Sequence, residues 1–413
     1  MTPRKPRLVF VSPVFLFPND AGGKIRTTNI LRGLKGGAFD ITLVSVADEA
    51  QQRRWAAEIA GVCDRFVAWQ PAPERPKWLR ALDLLRELPV NVVADRTEAG
   101  ANAVRQLAQA PGDLIVFDFV HSAVLMPEQL RQASVCFTHN VEAEIFARHA
   151  SKAKDGARRW MWSSQYRKMA RFERDALERF TTVIAVSERD AQFFRNSYAI
   201  ADCHAIPTGV DLDFFSWQVP PPVDGVHPPT VVFTGSMDWT ANIDGVQYFL
   251  NEVWPLILRR QPNARFVVVG RNPPNMLKAL GQSARNVEFT GFVDDVRPYV
   301  HAAHAFVIPL LVGGGTRIKA FEAMAMGCPI VSTSLGTEGL GAEPERHFLE
   351  RDGAQPMADA VLALLEDAAL RQRISSEARA VVDQRFGHKV AAEVFEKICL
   401  GALERHRTHA VTR

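Results

Sequence analysis

The sequence predicts an α/β protein made of two Rossmann-like domains, each a parallel sheet wrapped by helices. Three observations carry this. At 413 residues the chain exceeds the length at which a single hydrophobic core stops growing. Short β-rich runs alternate with longer helical patterns, as they do when parallel strands are joined by helical crossovers. One stretch, Ser216 to Pro229, breaks all periodicity with Pro220, Pro221, Pro222, Pro228 and Pro229, and reads as an interdomain linker. The expected division is a first domain over 1–215, a linker over 216–229, a second domain over 230–383, and a final helix with its tail over 384–413.

Ahead of the linker, strands are expected at Leu8 to Ser12, Ile41 to Val46, Leu114 to Phe117, Ser134 to Thr138 and Thr182 to Val186. Behind it they are expected at Thr230 to Thr234, Arg265 to Val269, Val287 to Thr290, Ala305 to Ile308 and Ile330 to Thr333. Ligands of such sheets lie beyond the carboxyl ends of the strands, so the loops after these runs should hold the chemistry. A helix through Trp160, Trp162, Tyr166, Met169 and Phe172 should pack on the first domain, with Arg158, Arg159, Arg167, Lys168 and Arg171 on its outer side. That basic side is also suited to peripheral contact with an anionic membrane surface. The last helix is expected near Phe386 to Leu403, followed by a frayed tail without an apolar stripe.

Composition narrows the functional classes. Cys63, Cys136, Cys203, Cys328 and Cys399 are scattered, odd in number and lack C-x-x-C spacing, which argues against disulfides or structural zinc and for a cytoplasmic home. The basic start is followed by an apolar run broken at Pro13 and Pro18, without a cleavage pattern. No run approaches the roughly 18 apolar residues that span a bilayer. A formal net charge of +3 is too small for a nucleic-acid partner.

The most informative segment runs from Val312 to Gly327. Gly313, Gly314 and Gly315 form a turn, Thr316 is placed to cap the helix behind it, and Arg317 and Lys319 bring two cations. The first N–H groups of a helix have no internal partner, and glycines let an anion approach them closely, so this is a phosphate site. Glu322 lies about two turns further on, where a carboxylate accepts from sugar hydroxyls. Arg271, just behind a strand, is a third candidate cation. Gly22 and Gly23 open the helix after the first strand. His139, in Phe137-Thr138-His139-Asn140-Val141-Glu142, follows another strand and is expected to donate to sugar or phosphate oxygens. Asp118 and His121 are weaker candidates beside it.

These segments resemble the retaining glycosyltransferases of family 4, which have the GT-B fold of two Rossmann-like domains facing a central cleft. Phe321 to Ser332 is similar to that family's donor-binding helix and following strand, with Glu322 in the place of the ribose-binding second glutamate of E-x7-E. The first glutamate is absent, since position 314 is glycine. The Gly23 loop resembles one that faces the donor phosphates and the acceptor. The Gly235 loop resembles one that usually carries an arginine and a lysine for the diphosphate, neither of which is present here. Arg317 and Lys319 are the expected replacement. Phe292-Val293 resembles the loop that contacts the base, with Phe292 expected in ordinary core packing. The His-Asn-x-Glu run is similar to a motif close to the reacting sugar.

The resemblance implies a metal-independent, retaining hexosyltransferase without a cofactor, acting in polysaccharide or cell-envelope synthesis. Its donor would be a nucleoside diphosphate sugar and its acceptor a glycan or a lipid-linked sugar. His139, Arg317 and Lys319 would be catalytic, and Gly23, Gly235, Arg271, Val293, Gly314, Gly315, Thr316 and Glu322 would bind the donor. Asp211-Leu212-Asp213 mimics a D-x-D metal motif but sits in Ile206 to Asp211, which looks like the family's approach to its linker. A nucleotide-sugar 2-epimerase of the same fold and a catalytically silent nucleotide-sugar-binding protein are the alternatives.

Overall fold

A computed structural model describes residues 4–19, 21–73, 76, 83–109, 114–153, 155–222, 228–312 and 318–411. The chain forms two compact units, Met1–Gly209 with Lys389–Arg413, and Val210–His388. In the first, among the described residues, the strands are β1 Arg7–Ser12, β2 Asp40–Val46, β3 Arg65–Trp69, β4 Leu114–Asp118, β5 Ala133–Phe137, β6 Thr182–Ala185 and β7 Cys203–Ala205. They lie in the order β3-β2-β1-β4-β5-β6-β7, every pair parallel. The second unit holds β8 Thr230–Thr234, β9 Arg265–Val269, β10 Val287–Gly291, β11 Ala305–Ile308, β12 Ile330–Ser332 and β13 Leu349–Glu350, ordered β10-β9-β8-β11-β12-β13 and also parallel.

Both faces of each sheet are buried, which is why its strands read as near-continuous apolar runs rather than alternating ones. Leu8 and Phe10 of β1 enter one core while Val9 and Val11 enter the other. Val231 and Phe233 of β8 are divided from Val232 in the same way. The direction in which successive strands are added reverses between β1 and β4 and again between β8 and β11. Each sheet thus has one switch point where loops diverge and leave a crevice.

The unit boundary falls at Gly209/Val210, ahead of the proline-rich stretch rather than within it. Residues up to 222 lie on the second unit: Trp217 Nε1 donates to Ser375 Oγ at 3.1 Å, and the Gln218 N–H donates to the Met326 carbonyl at 3.2 Å. The tail also departs from expectation. The last helix, His388–Val411, continues well past Leu403, where a frayed tail is expected. Its place in the first unit from Lys389 onward is no departure, since a final helix crossing back to the first domain is expected from the sequence. Ala391, Phe395, Cys399 and Ala402 fill the core beside Leu8 and Phe10. Arg405 donates to Asp202 at 2.7 Å and to Thr182 Oγ1 at 3.1 Å, which holds the final turns against the sheet without any apolar stripe.

Candidate functional site

In the first unit the switch-point loops converge on one buried carboxylate. Asp118 ends β4, fully enclosed. It accepts from Ser12 Oγ at the end of β1 at 2.9 Å, from Thr27 Oγ1 in the helix Gly22–Leu34 at 3.0 Å, and from His139 Nε2 behind β5 at 2.7 Å. A carboxylate only accepts, so the imidazole hydrogen sits on Nε2 and Nδ1 keeps its lone pair. Burial lowers the His139 pKa, outweighing the opposing pull of Asp118, so the ring is neutral near pH 7. His139 Nδ1 is buried without a partner among the described residues. Nδ1 thus carries only a lone pair, and the one ring N–H is already given to Asp118.

Gly23 explains why the helix can approach this group. A Cβ there would stand 2.6 Å from Phe119 Cζ and 3.7 Å from His139 Nδ1. The Phe119 ring in turn stacks on His139 at 4.0 Å between centroids. Phe119 holds this place with φ of 63°, an uncommon conformation for a residue with a side chain, of the kind found where the surroundings over-determine the backbone. The loop after His139 is fixed from behind. Glu173, fully buried on the helix Gly156–Leu177, accepts from the N–H groups of Glu142 at 2.7 Å and Ala143 at 3.3 Å and from the Tyr198 hydroxyl at 3.0 Å. Burial raises its pKa to about 8 against those three donors. Glu142 opens the helix Glu142–Lys152, so Glu173 caps the segment that carries His139. His121 is bonded to Asp95 and faces Phe119 rather than Asp118.

In the second unit the corresponding crevice holds a fixed ammonium. Lys319, at the start of the helix Ile318–Met326, donates from Nζ to Asn242 Oδ1 at 2.9 Å and lies 4.2 Å from the centre of the Phe233 ring. A Cβ on Gly235 would come within 2.7 Å of that nitrogen, and Gly235 has φ of 157°. Glycine is thus required where the loop after β8 passes the lysine. Asn242 also donates to the Ser236 carbonyl at 2.7 Å, tying the loop to the helix behind it. Glu322 lies one turn beyond Lys319; desolvation pushes its carboxyl up to about 7, and Lys319 pulls the other way.

Other expected positions are placed as follows. Arg271 donates to Asp238 at 3.0 Å and Ser236 at 3.3 Å, so at the β8 loop it is a partner of Asp238. Val293 packs at the edge of a core cluster. Phe292 is 71% exposed, not packed in the core, on the loop behind the edge strand β10. Gly314, Gly315, Thr316 and Arg317 lie outside the described residues. Ligand atoms of Asp211, Asp213 and His388 lie within 4.8 Å of one another, and Asp211 Oδ1 accepts from the N–H groups of Asp213 and Phe214. No helix among the described residues is long and apolar enough to cross a membrane.

Sequence reading missed Ser12, Thr27, Glu173 and Asn242. Thr27 carried a signal, since it lies one turn into a helix that begins at a glycine pair. Glu173 carried none, because its partners are 25, 30 and 31 residues away along the chain.

Comparison with known proteins agrees with this architecture. Residues 22–214 match the model of Glycosyltransferase Family 4, and residues 228–367 match that of Glycosyl transferases group 1. An uncharacterized 44.6 kDa protein in the cps region of Klebsiella pneumoniae is 21% identical over 180 residues, 42% of this chain and 46% of that protein. A phosphatidyl-myo-inositol mannosyltransferase of Mycobacterium tuberculosis is 28% identical over 205 residues, 47% of this chain and 53% of the relative. The chain spans about half the length of these curated relatives. The crystal structure of Anabaena HepE in complex with UDP and glucose superposes with a TM-score of 0.66 at 16% identity, covering 95% of this chain and 98% of that one. With its first unit matched by one model and its second by the other, the chain belongs to the family 4 glycosyltransferases, and its two parallel-sheet units have the GT-B fold.

Proposed function

We propose that the protein is a retaining glycosyltransferase that moves a hexose from a nucleoside diphosphate sugar to a glycan or lipid-linked acceptor in polysaccharide or cell-envelope synthesis. The observation that carries this reading is the ammonium of Lys319, held against Gly235 at the switch point of the second sheet. A fixed cation beside a glycine, whose backbone a ligand can approach closely, suits a diphosphate. The HepE complex with UDP and glucose and the mannosyltransferase relatives support the same donor class. In this reading the sugar's bond to the diphosphate breaks as its bond to the acceptor oxygen forms. Lys319 and Arg317 stabilise the departing diphosphate, His139 Nδ1 accepts from a sugar hydroxyl, Glu322 takes the ribose, and exposed Phe292 with Val293 meets the base. Gly23, Gly235, Gly314, Gly315, Thr316 and Arg271 are the further residues proposed to bind the donor, as the family resemblance implies.

The test is binding of the full-length protein to UDP and a panel of nucleotide sugars, measured by thermal shift and calorimetry. Glu322→Ala is expected to weaken UDP binding by about 1.5–3 kcal/mol, the range for a hydrogen bond to a charged group, with an unchanged melting temperature. Equal affinities would remove Glu322 from the site. Transfer is also expected to persist in a metal chelator, since fixed cations and helix N–H groups take the role that a divalent ion plays elsewhere. Loss of turnover in chelator, restored by manganese or magnesium, would instead bring the Asp211, Asp213 and His388 cluster into the mechanism.

A further inference from the structure

We propose that a groove on the first unit, walled by the helix Glu98–Gln109 and floored by the short helix Val120–Leu125, binds the sugar chain of a glycan acceptor, with His121 at its inner end. This deepens the transferase reading and rests on it only for the chain's role as acceptor.

The groove holds about 750 Å³, within the range of pockets that bury most of a small ligand. Its floor is apolar at Val124 and Met126, and its rim carries Arg96, Glu98, Arg105 and Glu128. These four are exposed; Arg105 reaches Asn102 on its own helix at 2.9 Å, and the side chains of the other three have no hydrogen bond or ion pair among the described residues. Arg86, the remaining charged residue of the lining, is already paired with Asp83 at 3.0 Å, so the rim is balanced in charge. Sugars match such a lining. Their C–H faces cover apolar surface, a guanidinium fork donates to neighbouring hydroxyl oxygens, and a carboxylate accepts from hydroxyls. A hydrocarbon chain would instead strip water from four charges and return nothing for it. The groove is also preformed, which limits the ordering cost of binding. Thr97 Oγ1 accepts from the Gly100 N–H at 3.2 Å, and a Cβ on Gly100 would stand 3.2 Å from Leu125 Cδ2, so the wall lies directly on the floor. Arg179 donates to the Pro127 carbonyl at 3.1 Å and ties down another edge.

Asp95, the residue before Arg96, ties the groove to the buried carboxylate network. It accepts from His121 Nδ1, and the two side chains are only 18% and 14% exposed. Nε2 is therefore the ring nitrogen left for a ligand, and it has no partner among the described residues. Burial works against charge on His121, but Asp95, Glu142 and Asp118 raise its pKa all the same. Nε2 thus donates to a sugar oxygen below that pKa and accepts from a hydroxyl above it. His121 lies in the short helix whose end floors the groove, and its ring packs at 5.1 Å on Phe119, which stacks at 4.0 Å on His139. A chain laid along the floor reaches His121 with its end residue, beside the row of rings that leads to His139.

The test uses the full-length protein with and without UDP. Maltotetraose, cellotetraose and tetragalacturonate are the glycan probes, and dodecyl maltoside below its micelle concentration is the lipid probe, all read by saturation-transfer NMR; calorimetry measures UDP. At least one tetrasaccharide is expected to bind wild type. Arg96→Ala and Glu128→Gln should each weaken it about fivefold, the loss of roughly one hydrogen bond, and Ala101→Trp, which fills the groove, should abolish it. UDP affinity should be the same in all three variants, with melting temperatures within about 2 °C of wild type for the two rim changes. Glycan binding by a protein that takes no UDP keeps the groove and removes the transferase reading. A protein that takes UDP but no tetrasaccharide overturns the groove alone, and one that takes neither overturns both. Glycan binding that survives Ala101→Trp or is unmoved by both rim changes overturns the proposal, as does saturation confined to the alkyl protons of dodecyl maltoside.

Discussion

Asp118→Ala is expected to destabilise the first unit by about 3–5 kcal/mol, the cost of removing one partner from a buried charged network. The alanine would remove the carboxylate acceptor of the Thr27 hydroxyl and of the His139 Nε2–H in an enclosed site, while Ser12 Oγ keeps the Val14 carbonyl at 3.0 Å. Denaturant unfolding of the purified variant measures this. Asp118→Asn separates stability from chemistry. The amide keeps the volume and can still accept from Thr27, but its NH2 group faces a ring nitrogen that also bears hydrogen, so His139 loses the bond that fixes its tautomer. A smaller stability loss with a large fall in turnover is expected. Wild-type turnover in the Asp118→Asn variant would show that the tautomer of His139 has no role, and a stability change below about 1 kcal/mol for Asp118→Ala would show that the network is not the unit described.

The parts of this arrangement that could be read from sequence are those governed by short range. β1, β8, β9 and β11 were legible because a strand buried on both faces is an uninterrupted apolar run. β3 escaped because Arg65 starts it and its middle residues are only half-buried at the sheet edge, and β7 and β13 are three and two residues long. Gly23, Gly235, His139 and Lys319 were legible as loop or helix-start residues just beyond strand ends. Their partners were not. Asp118 meets Ser12 across 106 positions and Thr27 across 91, and nothing in local composition marks such a pairing. Nothing in the local composition around Arg26 marks it for burial, and the fold encloses it. Periodicity thus locates the loops that carry chemistry, while charge compensation among them is a property of the folded sheet alone.

Lys319→Ala is expected to lower kcat/KM about 10- to 100-fold, or about 1.4–2.7 kcal/mol of transition-state stabilisation, and to weaken UDP binding in parallel. The ammonium is held by Asn242 and by the face of Phe233, both in the second unit, so it is oriented before any ligand arrives and loses little freedom on binding. Folding should be nearly untouched, because Asn242 keeps its bond to the Ser236 carbonyl when the lysine is gone. Lys319→Arg is not a neutral replacement. Its planar fork is bulkier than the ammonium, and the Gly235 backbone lies where that fork would extend. It should recover less than half of the lost transition-state stabilisation. Combined with Arg317→Ala, the lysine change is expected to be less than additive if both cations touch the same phosphate oxygens, since the first loss lets the survivor shift toward them. A Lys319→Ala enzyme with wild-type kcat/KM and UDP affinity would sever the lysine from the diphosphate, and the ordered ammonium beside Gly235 would then be a support for the β8 loop and no more.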